Sequence, residues 1–305
     1  MICFHESALH VMVAGTMKFI LLCLAALLQT TFAERAPATG VRITYLGTNG
    51  YLLEVRGCTL LVDPYFTRAG LAASALNLRM ASSPRLVAEG LARLPRKIDA
   101  VLVTHGHIDH LLDVPAVMRS TGAGLIASPT SVCLARASGI AGSRCDVVLP
   151  GEVRSIAGCR IHVLAASHDH ILGRVPFPGT LPTPPPPPQR GGDWLCGEPL
   201  AFLIEMGGRR IYLDSGGTPA VLPPRDAGPV DLAILGVAVP DSRARLAAAV
   251  ERLRPCLVLP SHQDNFFRPL DRGFTFGWLT NTARVRRVLG SRMIMLDYFR
   301  PWTLR

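Results

Sequence analysis

The stretch Val101-Leu-Val-Thr-His-Gly-His-Ile-Asp-His110 constrains this chain more than any other. Its apolar start reads as a buried strand over 100–103, and it runs straight into His105, His107, Asp109 and His110. Imidazole nitrogens and carboxylate oxygens are the donors that zinc and similar divalent ions take. In an extended turn His105 and His107 point to one side and reach one ion. Asp109 and His110 point elsewhere, toward a second ion. Metal-assisted hydrolysis of an ester or phosphodiester uses such a pair. The competing reading is a polar loop that happens to be His-rich, but structural histidines seldom crowd this closely around an acid.

Length and composition set what can be built around that motif. The chain has 305 residues, 49% of them apolar, enough for one large α/β domain or two smaller ones with a full core. Such a composition excludes global disorder. Lys18 and Lys97 are the only lysines among the basic residues. Lys18 precedes the apolar run Phe19-Ile-Leu-Leu-Cys-Leu-Ala-Ala-Leu-Leu28, then Gln29-Thr-Thr-Phe-Ala33 and Glu34. A charged start, a short apolar run and a small residue before the cut make a secretory signal. We therefore expect a signal peptide over 1–33, cleaved after Ala33, with Met17 as the natural start. The run is shorter than the ~20 residues of a spanning helix, so a retained anchor is the weaker reading. Cys23 lies inside the run and not after it, which argues against a lipoprotein. The mature chain, 34–305, is then one exported domain, periplasmic or secreted, with no stable membrane span.

Export removes Lys18 and Glu6 together, so the net charge stays at +10. A basic chain invites a nucleic-acid partner. Here the arginines are scattered, and the nearest thing to a cluster is Arg284, Arg286 and Arg287 in one late helix. No aromatic residues interleave with them to stack on bases. The charge reads as solvation, or as attraction of an anionic small-molecule substrate, and not as a nucleic-acid interface. Six cysteines remain after cleavage: 58, 133, 145, 159, 196 and 256. Outside the cell some of them pair, and spacing does not choose the partners.

Along the chain, 41–46 alternates as a strand, Gly47-Thr-Asn-Gly50 turns, and 51–55 with 58–62 form a hairpin ending in Asp63-Pro64. A helix follows over 83–94 behind Ser83. After the metal motif we expect a helix over 110–119 with its N-terminus at the site, where backbone N–H groups hold anions. A strand at 124–127, a helix at 130–138 and a strand at 146–149 come next. The strand 160–166 contains His162, read as packing, and ends in Ser167-His168-Asp169-His170. Residues 171–196 then break the pattern. Their five consecutive prolines, 184–188, favour polyproline II. This insertion is either a lid or wall beside the pocket or a solvated excursion. A second hairpin, 200–205 with 210–213, turns at Gly207-Gly208 and ends in Asp214. It repeats the layout of 51–63 and points to two similar halves. Strands at 231–235, 256–259 and 293–298 and helices at 242–253 and 281–289 complete the reading.

His-x-His-x-Asp-His behind an apolar strand, flanked by two hairpins that each end in Asp, resembles the signature of the metallo-β-lactamase-fold hydrolases. The resemblance runs over about residues 41–300. It implies an α/β fold, an αββα sandwich of two mixed β-sheets with external helices. It implies that His105, His107 and His168 hold one ion, that Asp109, His110 and His262 hold a second, and that Asp214 bridges them. His170 is the alternative to His168, or else a substrate contact or the leaving-group acid. Asp63 is either a carboxylate below the metal site or a plain strand-end residue before Pro64. Two zinc ions are the expected cofactor, with manganese or iron as other choices. A hydroxide between the ions would be the nucleophile, with Asp109 as the catalytic residue that orients it. Lactamases proper mostly carry Cys or Ser at the position of Asp214. Gly47-Thr-Asn-Gly-Tyr-Leu-Leu and Leu-Val-Asp-Pro-Tyr-Phe66 look most like the lactonase and phosphodiesterase-like branch. The expected activity is hydrolysis of an ester, lactone or phosphodiester. The alternatives are an exported β-lactamase, a nuclease of the same fold, or an inactive metal-binding module.

Overall fold

Leu52, Leu53, Leu60 and Leu61 are all buried, so the strands that carry them have no solvent face. They belong to β2 (Gly50–Val55) and β3 (Cys58–Val62), which form an antiparallel meander with β1 (Val41–Gly47). Alternate side chains of a strand point to opposite faces. Tyr51, Leu53, Leu60 and Val62 accordingly enter one core, and Leu52 and Leu61 another. A sheet covered on both faces is what such unbroken apolar runs specify.

The structure is a computed structural model that describes residues 39–171, 173–216, 229–238 and 243–305. The expected signal peptide, 1–33 with Met17 and Cys23, lies outside the described residues. After β3 come α1 (Leu71–Ala75), α2 (Pro84–Leu91), β4 (Ala100–Leu102), α3 (Ile108–Leu111), α4 (Val114–Thr121), β5 (Gly124–Ala127), α5 (Pro129–Ala137) and β6 (Cys145–Val147). The second half holds β7 (Val153–Ile156), β8 (Cys159–Ala165), β9 (Leu200–Met206), β10 (Arg209–Leu213), β11 (Leu232–Gly236), α6 (Arg243–Leu253), β12 (Leu257–Ser261), α7 (Thr282–Leu289) and β13 (Pro301–Leu304).

Two mixed sheets result, in the orders β13-β1-β2-β3-β4-β5-β6 and β12-β11-β10-β9-β8-β7. The inner core lies between them, with Leu53, Val62 and Leu102 from one sheet and Phe202, Ile211 and Ile234 from the other. Val87, Val117 and Leu134 of α2, α4 and α5 cover the outer face of the first sheet. Leu246, Leu253 and Leu289 of α6 and α7 cover the second. This is the expected αββα sandwich. A disulfide between Cys58 and Cys159 joins the first residues of β3 and β8, one from each sheet. Among the described residues no helix is long and apolar enough to cross a membrane.

Several elements differ from the sequence reading, each for a physical reason. The expected helix 110–119 is two helices, α3 and α4, and the first starts earlier, behind His107. The break falls beside Asp113, which is fully buried and accepts from the Phe66 and Thr67 N–H groups at 2.7 Å each. Anchoring the chain after β3 overrides helix continuity there. The strand expected at 146–149 pairs over 145–147 instead. The edge strand β7 went unread because only alternate residues are even half-covered. The expected strand 293–298 makes only isolated bridges, Met293 to Val258 and Tyr298 to Tyr45. The true last strand is β13, an edge strand that begins with Pro, where a missing N–H costs little. His162 is half-buried beside Glu205, with Nε2 3.5 Å from its carboxylate.

Candidate metal centre

The C-terminal ends of β3, β4, β8, β10 and β12 converge on one edge of the sandwich, and the expected ligands sit just past them. Two groups of three form. Potential ligand atoms of His105, His107 and His168 lie within 4.8 Å of one another, and those of Asp109, His110 and His262 do the same. The groups adjoin, since the His105 and His110 rings are 3.9 Å apart.

In the first group each ring is oriented from behind. His107 Nε2 lies 2.8 Å from the Pro176 carbonyl, so that nitrogen carries the proton and Nδ1 offers its lone pair to the site. His168 Nδ1 lies 2.6 Å from the Asp169 carbonyl, which turns Nε2 inward. Nδ1 of His105 has the Thr104 and Ser215 hydroxyls at 3.2 and 3.3 Å, and its Nε2 stands 3.0 Å from His107 Nδ1. Burial, reinforced by the neighbouring histidines, holds His105 well below the usual range. Burial pushes His107 down to about 4, with Asp109 only partly opposing it. Burial, then His107, pushes His168 down to about 3. Three neutral imidazoles with ring nitrogens this close are a donor set that could hold a cation.

The second group is built differently. Asp109 Oδ2 lies 2.9 Å from His262 Nε2 and 3.3 Å from His110 Nε2. Burial works against the Asp109 charge, but His110 and His262 outweigh it and hold the carboxyl well below the usual range. His110 is fully buried; the Asp109 and Asp63 carboxylates overcome that and hold it up at about 10. His110 Nδ1 sits 2.8 Å from Asp63 Oδ2, which leaves Nε2 facing the site. Such a backing carboxylate fixes the tautomer of a metal-binding histidine. The Nδ1 of His262 is buried without a hydrogen-bond partner. His262 has φ 54°, a left-handed backbone that its N–H holds by donating to Thr48 at 2.7 Å. The donor set of two imidazoles and a carboxylate suits zinc, iron or manganese.

Asp214 stands in neither group. It is buried, and its Oδ1 accepts from the Gly216 and Gly236 N–H groups at 3.0 and 3.1 Å. Burial, against Arg245 and those N–H groups, pushes its carboxyl up to about 6. His170 is exposed and does not line the cavity over the two groups.

That cavity measures about 270 Å³. Its floor is His107, Asp109, His110, His168 and His262, and its walls include Ile171, Phe177, Phe266, Phe267 and Trp278. The insertion 171–196 thus does both things expected of it. Its stems pair, with Cys196 N–H to Phe177 O at 2.9 Å and Gly197 N–H to Gly179 O at 3.0 Å. They pack on the metal loop so closely that a Cβ on Gly106 would lie 2.1 Å from the Leu195 carbonyl. The prolines at 184, 186 and 187 are exposed. Sequence reasoning missed the Pro176 carbonyl, Ser215 and the aromatic walls. A carbonyl leaves no side-chain signal, and Phe266-Phe267 reads as ordinary core.

Residues 42–262 match the β-lactamase superfamily domain. Two curated relatives are UPF0173 metal-dependent hydrolases. The one from Heliobacterium modesticaldum is 26% identical over 244 residues, 74% of this chain and 84% of that protein. The one from Rubrobacter xylanophilus is 28% identical over 234 residues, 74% of this chain and 83% of that protein. Among solved structures, a metallo hydrolase from Ignicoccus hospitalis superposes with a TM-score of 0.56 at 18% identity, over 88% of this chain and 99% of that one. CmlA, a diiron β-hydroxylase from Streptomyces venezuelae, superposes with a TM-score of 0.57 at 18% identity, over 88% of this chain and 55% of that one.

Proposed function

The chain belongs to the β-lactamase superfamily, and on that premise we propose that it is a metal-dependent hydrolase of a neutral ester or lactone. The observation that carries the reading is the pair of adjoining three-residue groups, five of whose six residues line one cavity. Curated relatives bearing the name metal-dependent hydrolase support it. His105, His107 and His168 would hold one ion and Asp109, His110 and His262 the other, and Asp214, in neither group, would supply a further carboxylate. Zinc is the first choice, and iron fits the same donors. Bound there, the ions would supply activation of water at neutral pH and neutralisation of charge developing on the substrate oxygen.

The chain's own residues do the rest. Asp63, the Pro176 carbonyl and the Asp169 carbonyl fix the tautomers of His110, His107 and His168. Asp109, ionised at neutral pH, accepts a hydrogen from the attacking water and orients it. Phe177 and Phe266 line the cavity beside these groups. No arginine or lysine lines this cavity among the described residues, which favours a neutral carbonyl ester or lactone over a phosphodiester. The Cys58–Cys159 disulfide supports export to an oxidising compartment.

Elemental analysis of protein loaded with zinc and desalted tests the assignment, together with turnover of phenyl acetate, γ-butyrolactone and bis-p-nitrophenyl phosphate. Near two ions per chain, and carbonyl-ester turnover lost on chelation and restored by zinc, is the expected result. Asp109→Ala should lower kcat by at least about a hundredfold. Near zero ions would overturn the reading.

A further inference from the structure

Trp278 is 70% exposed, the most exposed of the large apolar side chains among the described residues. It is nonetheless held on an ordered hairpin. Asn265 N–H donates to Thr275 O and Gly277 N–H to Gln263 O, both at 2.8 Å, and Asp264 bridges Phe276. The hairpin is rooted in a fully buried ion pair, with Arg68 Nη2 2.8 Å from Asp264 Oδ2. An indole fixed in water by a rigid support is an unfilled contact surface.

What it would contact is set by two cavities. Trp278, Phe267 and Asn265 line the cavity above the metal centre and also a second, more open one of about 350 Å³. The outer cavity is completed by Leu71, itself 49% exposed, and by Arg268. The Arg268 guanidinium donates to the Arg272 carbonyl at 2.9 Å. The two cavities thus share one aromatic wall.

We propose that the outer cavity is a subsite for an unbranched apolar chain of the substrate, which runs from the metal centre past Phe267 and Trp278 to Leu71. This rests on the hydrolase reading for the reaction but not for the binding. Substrates with short acyl groups fill only the inner cavity. Longer ones gain about fourfold in kcat/KM for each methylene that Trp278 and Leu71 cover.

The test pairs a rate series with direct binding on the zinc-loaded protein. p-Nitrophenyl acetate, butyrate, octanoate and decanoate give the chain-length profile. Octanoate, the product of one of them, is titrated while tryptophan emission is followed. Trp194 is buried and Trp302 half-buried, so a blue shift on octanoate reports Trp278. The octanoate-to-acetate ratio of kcat/KM should exceed about twentyfold in the parent chain. It should fall at least about tenfold in both Trp278→Ala and Leu71→Asp. Both side chains are largely exposed, so neither change threatens the fold. A flat chain-length profile, or no octanoate shift, overturns the subsite. An octanoate shift that vanishes in Trp278→Ala and weakens in Leu71→Asp, with no ester turned over, upholds the subsite and sinks the hydrolase reading.

Discussion

Asp63 and Asp214 occupy the same place in two halves of the molecule, and they do different work. Each follows a hairpin, β2–β3 or β9–β10, whose second strand pairs in parallel with the next, β4 or β11. The Asp63 N–H donates to Leu102 O at 3.0 Å, and the Asp214 N–H to Ile234 O at 3.0 Å. Two residues further on, the Thr104 N–H donates to Asp63 Oδ1 at 2.8 Å and the Gly236 N–H to Asp214 Oδ1 at 3.1 Å. The halves then part. Thr104 leads into the metal motif, whereas Gly236 leads into Val237-Ala238, which carries no ligand. Asp63 Oδ2 is taken up by Asn49, the Thr104 hydroxyl and His110. The Asp214 carboxyl is buried with fewer donors and is pushed up to about 6. One scaffold position therefore yields a carboxylate committed to a histidine and another that burial holds near neutral.

Removing the committed carboxylate should cost most. Asp63→Ala strands the Thr104 N–H and hydroxyl, the Asn49 amide and His110 in the core, and should lower stability by about 3–5 kcal/mol in urea unfolding. A loss under 1 kcal/mol would mean the two carboxylates are equivalent after all. The positions two residues past Leu102 and Ile234, Thr104 and Gly236, probe the same contrast. Thr104 carries a side chain there, but a Cβ on Gly236 would lie 2.3 Å from Gly216 N and from Ser215 C. We expect Gly236→Thr to cost roughly 3 kcal/mol, and Thr104→Gly, which gives up the hydroxyl's contacts to Asp63 and His105, to cost about 1–2 kcal/mol.

This half-to-half contrast also marks how far the sequence could be read. The repeat of strand, Gly turn, strand and Asp was visible, because β2, β3, β9 and β10 are buried on both faces and leave apolar runs. The residues of both groups were visible, because metal chemistry restricts residue type and strand ends restrict position. Asn49 was read only as part of a turn. Its role, donating to Asp63 Oδ2 at 2.8 Å and accepting from the Ser261 hydroxyl at 2.6 Å, joins segments 212 residues apart. Local pattern does not encode such closure. The same holds for Asp113, whose partners Phe66 and Thr67 precede it by more than forty residues.

The carboxyl that burial pushes up should reveal itself by pH. In the metal-free protein Asp214 has a folded pKa near 6 against 3.8 in the unfolded chain. The folded state therefore holds its proton longer, and stability falls as pH rises from 3.8 through 6. Asp214→Asn removes that loss. Relative to the parent, the metal-free variant should gain about 2 kcal/mol between pH 4 and pH 7.5, read from denaturation midpoints. Zinc should reverse the order, stabilising the parent more than the variant. A gain that is flat with pH would show that Asp214 is already satisfied, like Asp63.

The smallest effect concerns the end of β8, where His168 and His170 stand two residues apart. In an extended chain they would face the same way, and the sequence left either as the ligand. The contacts separate them: His168 Nδ1 hydrogen-bonds the Asp169 carbonyl, and Arg245 Nη1 meets the Asp169 carboxylate at 2.9 Å. His168 thereby joins His105 and His107, with ring centroids 4.7 Å from each, and His170 is left exposed. His170→Ala should change stability by less than about 0.5 kcal/mol and keep the zinc content of the parent. His168→Ala should lose about one ion per chain. If His170→Ala also loses an ion, the ring facing the metal in solution is the one that the present geometry leaves outside.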